Sequence, residues 1–119
     1  MIKSMVMLKA KPGMSREAFR EYYETVHAPL ALRLYPYFAD YRRNYVDAEA
    51  YKARNGVDPD FDVLTEITFA SREDYEKFRA AQREPDNARA QREDEEKFLD
   101  RRVMRGFTVE ETRSEIPAR

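Results

Sequence analysis

The stretch FDVLTEITFASREDYEKF, residues 61–78, changes its hydrophobic period halfway along. Phe61, Val63, Ile67 and Phe69 fall on one face of an extended chain, with Thr65 among them, while Asp62, Leu64, Glu66 and Thr68 fall on the other. A period of two predicts a strand over 61–69. Ser71 then stands where a helix N-cap is needed, with Asp74 in the position a capping box gives to Glu. Tyr75 and Phe78 supply the start of a helical apolar stripe. A strand that runs straight into a helix is half of a β-α unit, so the fold is decided by what lies on either side.

Upstream, ADYRRNYVD (39–47) alternates again, with Tyr41, Arg43 and Tyr45 on one face and Arg42, Asn44 and Val46 on the other. Residues 48–60 contain Asn55-Gly56 and Asp58-Pro59 and read as a polar loop, in which AEAYKAR can form a helical turn. At the N-terminus, IKSMVMLKA (2–10) is a strand with Ile2, Val6, Leu8 and Ala10 on one face and Met5 and Met7 on the other. Apolar residues on both faces predict cover on both sides. Lys11-Pro12-Gly13 is a turn. Ser15 caps a helix that carries Glu17 in its first turn, where the helix dipole favours a carboxylate. Phe19, Tyr22, Tyr23, Val26 and Leu30 form its apolar stripe, and helical character continues to about Leu34. His27, the only histidine of the chain, lies one turn after Tyr23 at the stripe's edge. Pro29 predicts a kink or break beside it.

Downstream, Pro85 interrupts the helix that Ser71 opens. A second helical stretch covers roughly 86–99. The spacings Arg89–Glu93, Arg92–Glu96 and Glu93–Lys97 predict a salt-bridged solvent face. Its buried side is thin: Ala88, Glu95, Phe98 and Leu99. A last strand is expected over 103–112, followed by a polar tail, 113–119, outside a single domain of residues 1–112. The order βαββαβ predicts an α+β, ferredoxin-like sandwich: helices on one face of a four-stranded antiparallel sheet. Met5, Met7, Leu64 and Met104 would then lie on the uncovered face. Such a patch exceeds what a monomer normally exposes, so a homodimer packed sheet to sheet is expected.

Composition narrows the function classes. Charged residues make up 38% of the 119 residues, yet the net charge is −1 and the signs are interspersed. No polybasic footprint for nucleic acid exists. The absence of cysteine excludes disulfides, thiolate metal sites and a cysteine nucleophile. No signal-peptide pattern and no membrane-length apolar run occur, so a cytoplasmic protein with no membrane partner is expected. No Gly-rich phosphate loop, nucleophile elbow or metal-ligand cluster appears, which argues against nucleotide, flavin and hydrolase chemistry. Aromatic residues reach 13%, with eight Tyr and seven Phe. Tyrosines that bury their rings need partners for their hydroxyls, in a pocket or at an interface.

The segments LKAKPGMSREAFREYYETVHAPLALRL (8–34), YRRNYV (41–46), DVLTEITF (62–69), EDEEKFLD (93–100) and a last strand bearing VEE resemble the EthD family of the dimeric α/β-barrel superfamily. The resemblance spans about residues 2–112. It implies a ferredoxin-like monomer, a sheet-to-sheet dimer and a pocket between sheet and helices. The chemistry it implies is broad. Some members accompany ether degradation, and fungal relatives tailor aromatic polyketides as dehydratases, decarboxylases or oxygenases. Distant relatives include cofactor-free monooxygenases, polyketide cyclases and haem-handling proteins. The resemblance places His27 at the pocket and Asn44, Tyr45 and Asp94 in recurring segments. Position 45 is often histidine in similar sequences, so Tyr45 removes a second group that titrates near neutrality.

These readings nominate a set of side chains. His27 suits general acid–base work, since its ordinary pKa of about 6.5 lets it donate and accept near neutrality. The competing reading is a partly buried imidazole bonded to backbone or tyrosine. One histidine without companions is a poor zinc site, although haem requires only one axial ligand. Tyr23, one turn away, could orient the imidazole or a bound phenol, or simply pack in the core, as could Tyr22. Tyr41, Arg43 and Tyr45 line the pocket if their strand face looks toward the helices; otherwise Asn44 does. Asp62 and Glu66 lie about 13 Å apart by strand rise, so pairing with arginines suits them better than acting together. The resemblance makes Asp94 a partner for His27 or Arg43. The expected function is a small cofactor-free enzyme in which His27 moves a proton on an apolar phenolic or enolisable molecule. A non-catalytic dimeric binding or accessory protein is the alternative, and a haem-binding protein a further one.

Overall fold

Four strands and five α-helices alternate along the computed structural model, which describes residues 1–119. The chain runs β1 (Ile2–Leu8), α1 (Arg16–Tyr22), a π-helical turn (Tyr23–His27), α2 (Ala28–Leu34), β2 (Asp40–Tyr45), α3 (Ala48–Asn55), β3 (Val63–Phe69), α4 (Arg72–Arg83), α5 (Pro85–Phe98) and β4 (Arg105–Val109). The strands form one sheet in the order β2-β3-β1-β4, and each neighbouring pair is antiparallel. This is the ferredoxin-like arrangement expected from the strand order.

The local signals act as their chemistry requires. Ser15 Oγ accepts from the Ala18 N–H at 3.1 Å and Ser71 Oγ from that of Asp74 at 3.1 Å, capping α1 and α4. Asp47 caps α3, and Gly56 closes it with φ 79°, a conformation that favours glycine. The helical turn allowed for AEAYKAR is therefore a complete short helix. The strands are shorter than the alternation suggested. The Asp62 carboxylate accepts from the Ala10 N–H at 2.7 Å and lies 3.4 Å from Arg16, which ends the ladder before residue 61. Asp100 caps a short 3₁₀ turn, Arg101–Val103, and delays the last strand to residue 105.

The largest departure concerns Pro29. The helix does not break there; it continues from Arg16 to Leu34 through the π turn. The Ala28 N–H bonds to the Tyr23 carbonyl, one residue further back than an α-helix allows. The wider turn relieves the clash between the proline ring and the preceding carbonyl. It also rotates the buried stripe. Val26, expected inside, is 41% exposed, while His27, expected at the edge, is buried.

Register fixes the faces. Val6 pairs with Thr65 and Gly106, and Arg43 with Thr65, so Tyr41, Arg43 and Tyr45 look toward the helices. Met5, Met7, Leu64 and Phe107 occupy the opposite face. Met104, expected on that free face, packs instead against the core cluster, because it precedes β4 and shares the parity of Gly106. The core itself is divided. One cluster joins Leu8, Phe19, Tyr23, Val63, Phe98 and Leu99; the other joins Tyr35, Ile67, Phe69 and Phe78.

Phe98 anchors the first cluster. It is fully buried, with ring centroids 5.6 Å from Phe19, 4.9 Å from Tyr22 and 5.7 Å from Tyr23. Truncating Phe98→Ala is expected to cost about 3–5 kcal/mol of folding free energy. Urea denaturation measures this, and a loss below about 1 kcal/mol, the range of surface changes, would contradict the packing described.

Candidate functional site

The gap between the two core clusters is a cavity of about 290 Å³ between the sheet and the helices. Its walls are mainly apolar and aromatic. His27 and Tyr23 line it from the long helix, Tyr41 and Thr65 from the sheet, and Tyr35 and Phe78 from the second cluster.

His27 is held from behind. Its Nδ1 lies 2.8 Å from Asp94 Oδ2, and the Tyr22 hydroxyl donates to Asp94 Oδ1 at 2.5 Å. Asp94 is 6% exposed and accepts on both oxygens, the role of an ionised carboxylate. With the carboxylate as acceptor, Nδ1 is the donor nitrogen, which leaves Nε2 as the acceptor in the neutral form of the ring. Nε2 makes no hydrogen bond within the chain and is not sealed from solvent, so it is the nitrogen open to a ligand. The rings of Phe98 and Tyr23, with centroids 4.9 and 5.2 Å away, fix the imidazole plane. Burial and the Asp94 carboxylate push the Tyr22 hydroxyl up to about 12, so it stays a donor at neutral pH.

A second polar group faces the same space. The Tyr23 and Thr65 hydroxyls share a hydrogen bond of 2.7 Å, and Tyr41 donates to the Tyr23 oxygen at 3.3 Å. Burial raises the pKa of both tyrosines. They are neutral hydroxyls suited to hydrogen bonding an oxygen, and not bases. Tyr23 does not orient the imidazole through its hydroxyl, as the sequence allowed; Asp94 has that role.

Arg43 and Tyr45 share the inner face but do not line the cavity. Both hold Glu24 on the π turn. Arg43 donates to its two oxygens at 2.9 and 2.6 Å, and the Tyr45 hydroxyl donates at 2.5 Å. The Arg43 guanidinium also lies 4.5 Å from the Tyr41 ring centroid. This clamp fastens β2 to the turn that carries His27. Asn44 is a correction: strand parity turns it to the opposite face, where its amide donates to Leu64 O and Glu66. Asp62 and Glu66 pair with basic groups, as expected from their separation, although Lys3 serves Glu66.

Sequence reasoning overlooked Glu24, Ser4 and the polar chain at the far end of the cavity. There Tyr35 donates to Gln91 Oε1, and Gln91 Nε2 donates to Glu95 Oε2 at 3.0 Å. The available signals were Thr65 and Ser4 interrupting apolar strand faces, and Glu95 on the buried side of α5. No three His, Cys, Asp or Glu side chains come together in a metal-ligating group.

Hydrogen bonds from Arg43, then from Tyr45, hold the Glu24 carboxyl below its ordinary range despite partial burial. A carboxylate with a lowered folded-state pKa stabilises the fold above its unfolded value of about 4.3, and loses that contribution as pH falls through the folded value. The stability difference between the wild type and Glu24→Gln should therefore be level near neutrality and shrink on acidification below that range. Denaturation curves at several pH values test this; a gap that widens in acid would contradict it.

Comparison with solved structures places this geometry among known folds. An ethyl tert-butyl ether D (EthD) family protein from Bacillus halodurans C-125 aligns with TM-score 0.64 and 22% identity, over 94% of this chain and all of that one. A protein from Arabidopsis thaliana aligns with TM-score 0.66 and 15% identity, covering 98% and 100% of the two chains. HapK from Hahella chejuensis gives TM-score 0.63 and 12% identity, covering 99% of each. At these identities the likeness is one of fold. No curated protein matches the chain in sequence. The family model for the EthD domain matches residues 11–102, most of the chain, which therefore belongs to the EthD family.

Proposed function

We propose that the protein is a small enzyme that moves a proton on an apolar phenolic or enolisable molecule bound in the cavity. The observation that carries this reading is the His27–Asp94 pair, which leaves Nε2 as an acceptor facing an aromatic-lined space. His27 Nε2 would take a proton from carbon or a phenolic oxygen and return it to another atom. The Tyr41–Tyr23–Thr65 hydroxyls would stabilise the oxygen on which charge develops. Asp94 would hold the productive tautomer and support the imidazolium, with Tyr22 positioning Asp94. Dehydration, cyclisation, decarboxylation and cofactor-free oxygenation of a polyketide-like compound all use such a step. A single acid–base group contributes about 10²–10⁴-fold, which suits substrates already disposed to react. No cofactor is called on. His27 Nε2 is chemically able to ligate a haem iron, but the volume suits a molecule of roughly one or two fused rings, at the lower end of ligand sites.

Exchange of the enolisable protons of 2-tetralone in D₂O, followed by NMR, tests the reading directly. The wild type should accelerate exchange, and His27→Ala should lose about 10²–10⁴-fold of that acceleration while still binding the ketone. Asp94→Asn should also slow exchange, because an amide N–H facing Nδ1 drives the proton to Nε2 and removes the base. Saturable binding with no acceleration by the wild type would favour the alternative, a non-catalytic binding or accessory protein.

The sheet's outer face supports a homodimer. The chain is a slab of 44 × 44 × 22 Å with a radius of gyration of 15.9 Å, against about 13.5 Å for a compact domain of this length. Its accessible surface is 8426 Å², against about 6,800 Å² for a monomer of its mass. Met5, Met7, Leu64 and Phe107 form the apolar centre of that face, with Lys3 and Glu66 beside it. A second copy meeting this face would cover it. Light scattering should give twice the chain mass of 14.2 kDa, and Phe107→Glu should halve it; a monomeric wild type across concentrations would refute the dimer.

A further inference from the structure

The end of the cavity away from His27 opens beside a cleft of a different character. The cleft lies between α4 and α5 and has a volume of about 370 Å³. Arg79, Arg83, Arg92 and Arg101 line it, and Glu95 is its one carboxylate. Arg79, Gln82, Gln91 and Glu95 line both the cleft and the aromatic cavity, so the two spaces share a wall. The sequence spacing predicted an Arg92–Glu96 pair, but Arg92 makes no ion pair, and neither does Arg83. Arg89 pairs with Asp86 instead. Arg79 bonds only the neutral Gln82, at 2.8 Å. Glu95 is already engaged by Gln91 and lies 3.5 Å from Arg101. The rim thus holds three guanidinium groups with no carboxylate partner, on a chain whose net charge is −1.

We infer that the ligand of the cavity is a bipartite molecule: an aromatic body beside His27 and an anionic group, a carboxylate or phosphate, held at this arginine rim. The inference rests on the pocket reading above and adds the substrate class. Guanidinium groups match carboxylate and phosphate geometry through paired N–H donors. The position of the anion follows from α5. Asp94 and Phe98 lie on the side of the helix that meets His27, whereas Gln91, Arg92 and Glu95 lie on the side that lines the cleft. The anionic group is therefore a handle set apart from the reacting atoms. It is not a leaving carboxylate at His27. The upstream reaction must deliver a molecule that already carries the acid.

The test compares 6-hydroxy-2-naphthoate with its methyl ester, a neutral molecule with the same ring system, by calorimetric titration. The wild type should bind the acid at least about tenfold more tightly than the ester, the discrimination expected of one charge-assisted contact. That preference should collapse in the Arg79→Gln/Arg92→Gln double variant, and at about 0.5 M salt, where exposed charges are screened. Both arginines are exposed and outside the core, and an unchanged melting curve verifies that the variant folds. Equal affinity for acid and ester, or a preference retained by the double variant, overturns the inference and leaves the pocket reading standing. Binding of neither compound overturns both.

Discussion

A buried carboxylate shared between two helices is the constraint on which the site rests. Asp94 accepts from Tyr22 on one oxygen and from His27 on the other, and both donors come from the long first helix. An ionised group so deeply buried is tolerated only with its hydrogen bonds filled. Stripping one donor away would leave lone pairs unpaired at a cost of about 1–3 kcal/mol or more. That requirement fixes the rotation of α5 against the π turn. Phe98, one turn further along α5, is thereby set against the rings of Phe19, Tyr22, Tyr23 and His27. Polar pairing and aromatic packing are satisfied by one docking geometry.

The same docking accounts for the cavity. The helices pack firmly at the end of the sheet near Leu8 and Val63, and again near Phe69 and Phe78, but not between. Ser4, Thr65 and Gly106 occupy the intervening inner face of β1, β3 and β4, and they are too small to fill it. In an ordinary core this would cost stability, since interiors are close-packed. The Thr65 hydroxyl is bonded to that of Tyr23, which in turn accepts from Tyr41, so these polar groups of the lining are satisfied. The Glu24–Arg43–Tyr45 clamp adds stiffness from β2, tying the sheet edge to the turn that presents His27.

Much of the fold was legible because strand alternation and helix capping are local. Strand order, the Ser15 and Ser71 caps and the interruption at Pro85 all follow from residues within a turn of one another. The rotation of the long helix was not legible. A proline inside a helix can kink it, break it or be absorbed by a π turn, and only packing against α5 selects among these. Once selected, the π turn exchanges Val26 for His27 on the buried face. Asn44 was misplaced because sequence does not fix which face of an isolated strand meets the helices. Asp94 could be named from family resemblance but not from its neighbours, which read as a solvated run of charges. The partner that makes it meaningful lies 67 residues away.

That run of charges, REDEEK at 92–97, combines two environments on one helix. Successive helical residues point about 100° apart, so Asp94 and Glu95 serve opposite ends of the cavity. Asp94 turns to His27 and receives two donors, the His27 ring and the Tyr22 hydroxyl. Glu95, 5% exposed, turns to the Tyr35–Gln91 end and is met by an amide and a guanidinium. Two identical charges one residue apart thus have separate chemistry. One holds the imidazole in the cavity; the other is met by a single guanidinium, that of Arg101, and leaves Arg79, Arg83 and Arg92 without a carboxylate partner. A helix that looks uniformly hydrophilic in sequence acts in the fold as the common wall of a proton-transfer site and a cationic rim.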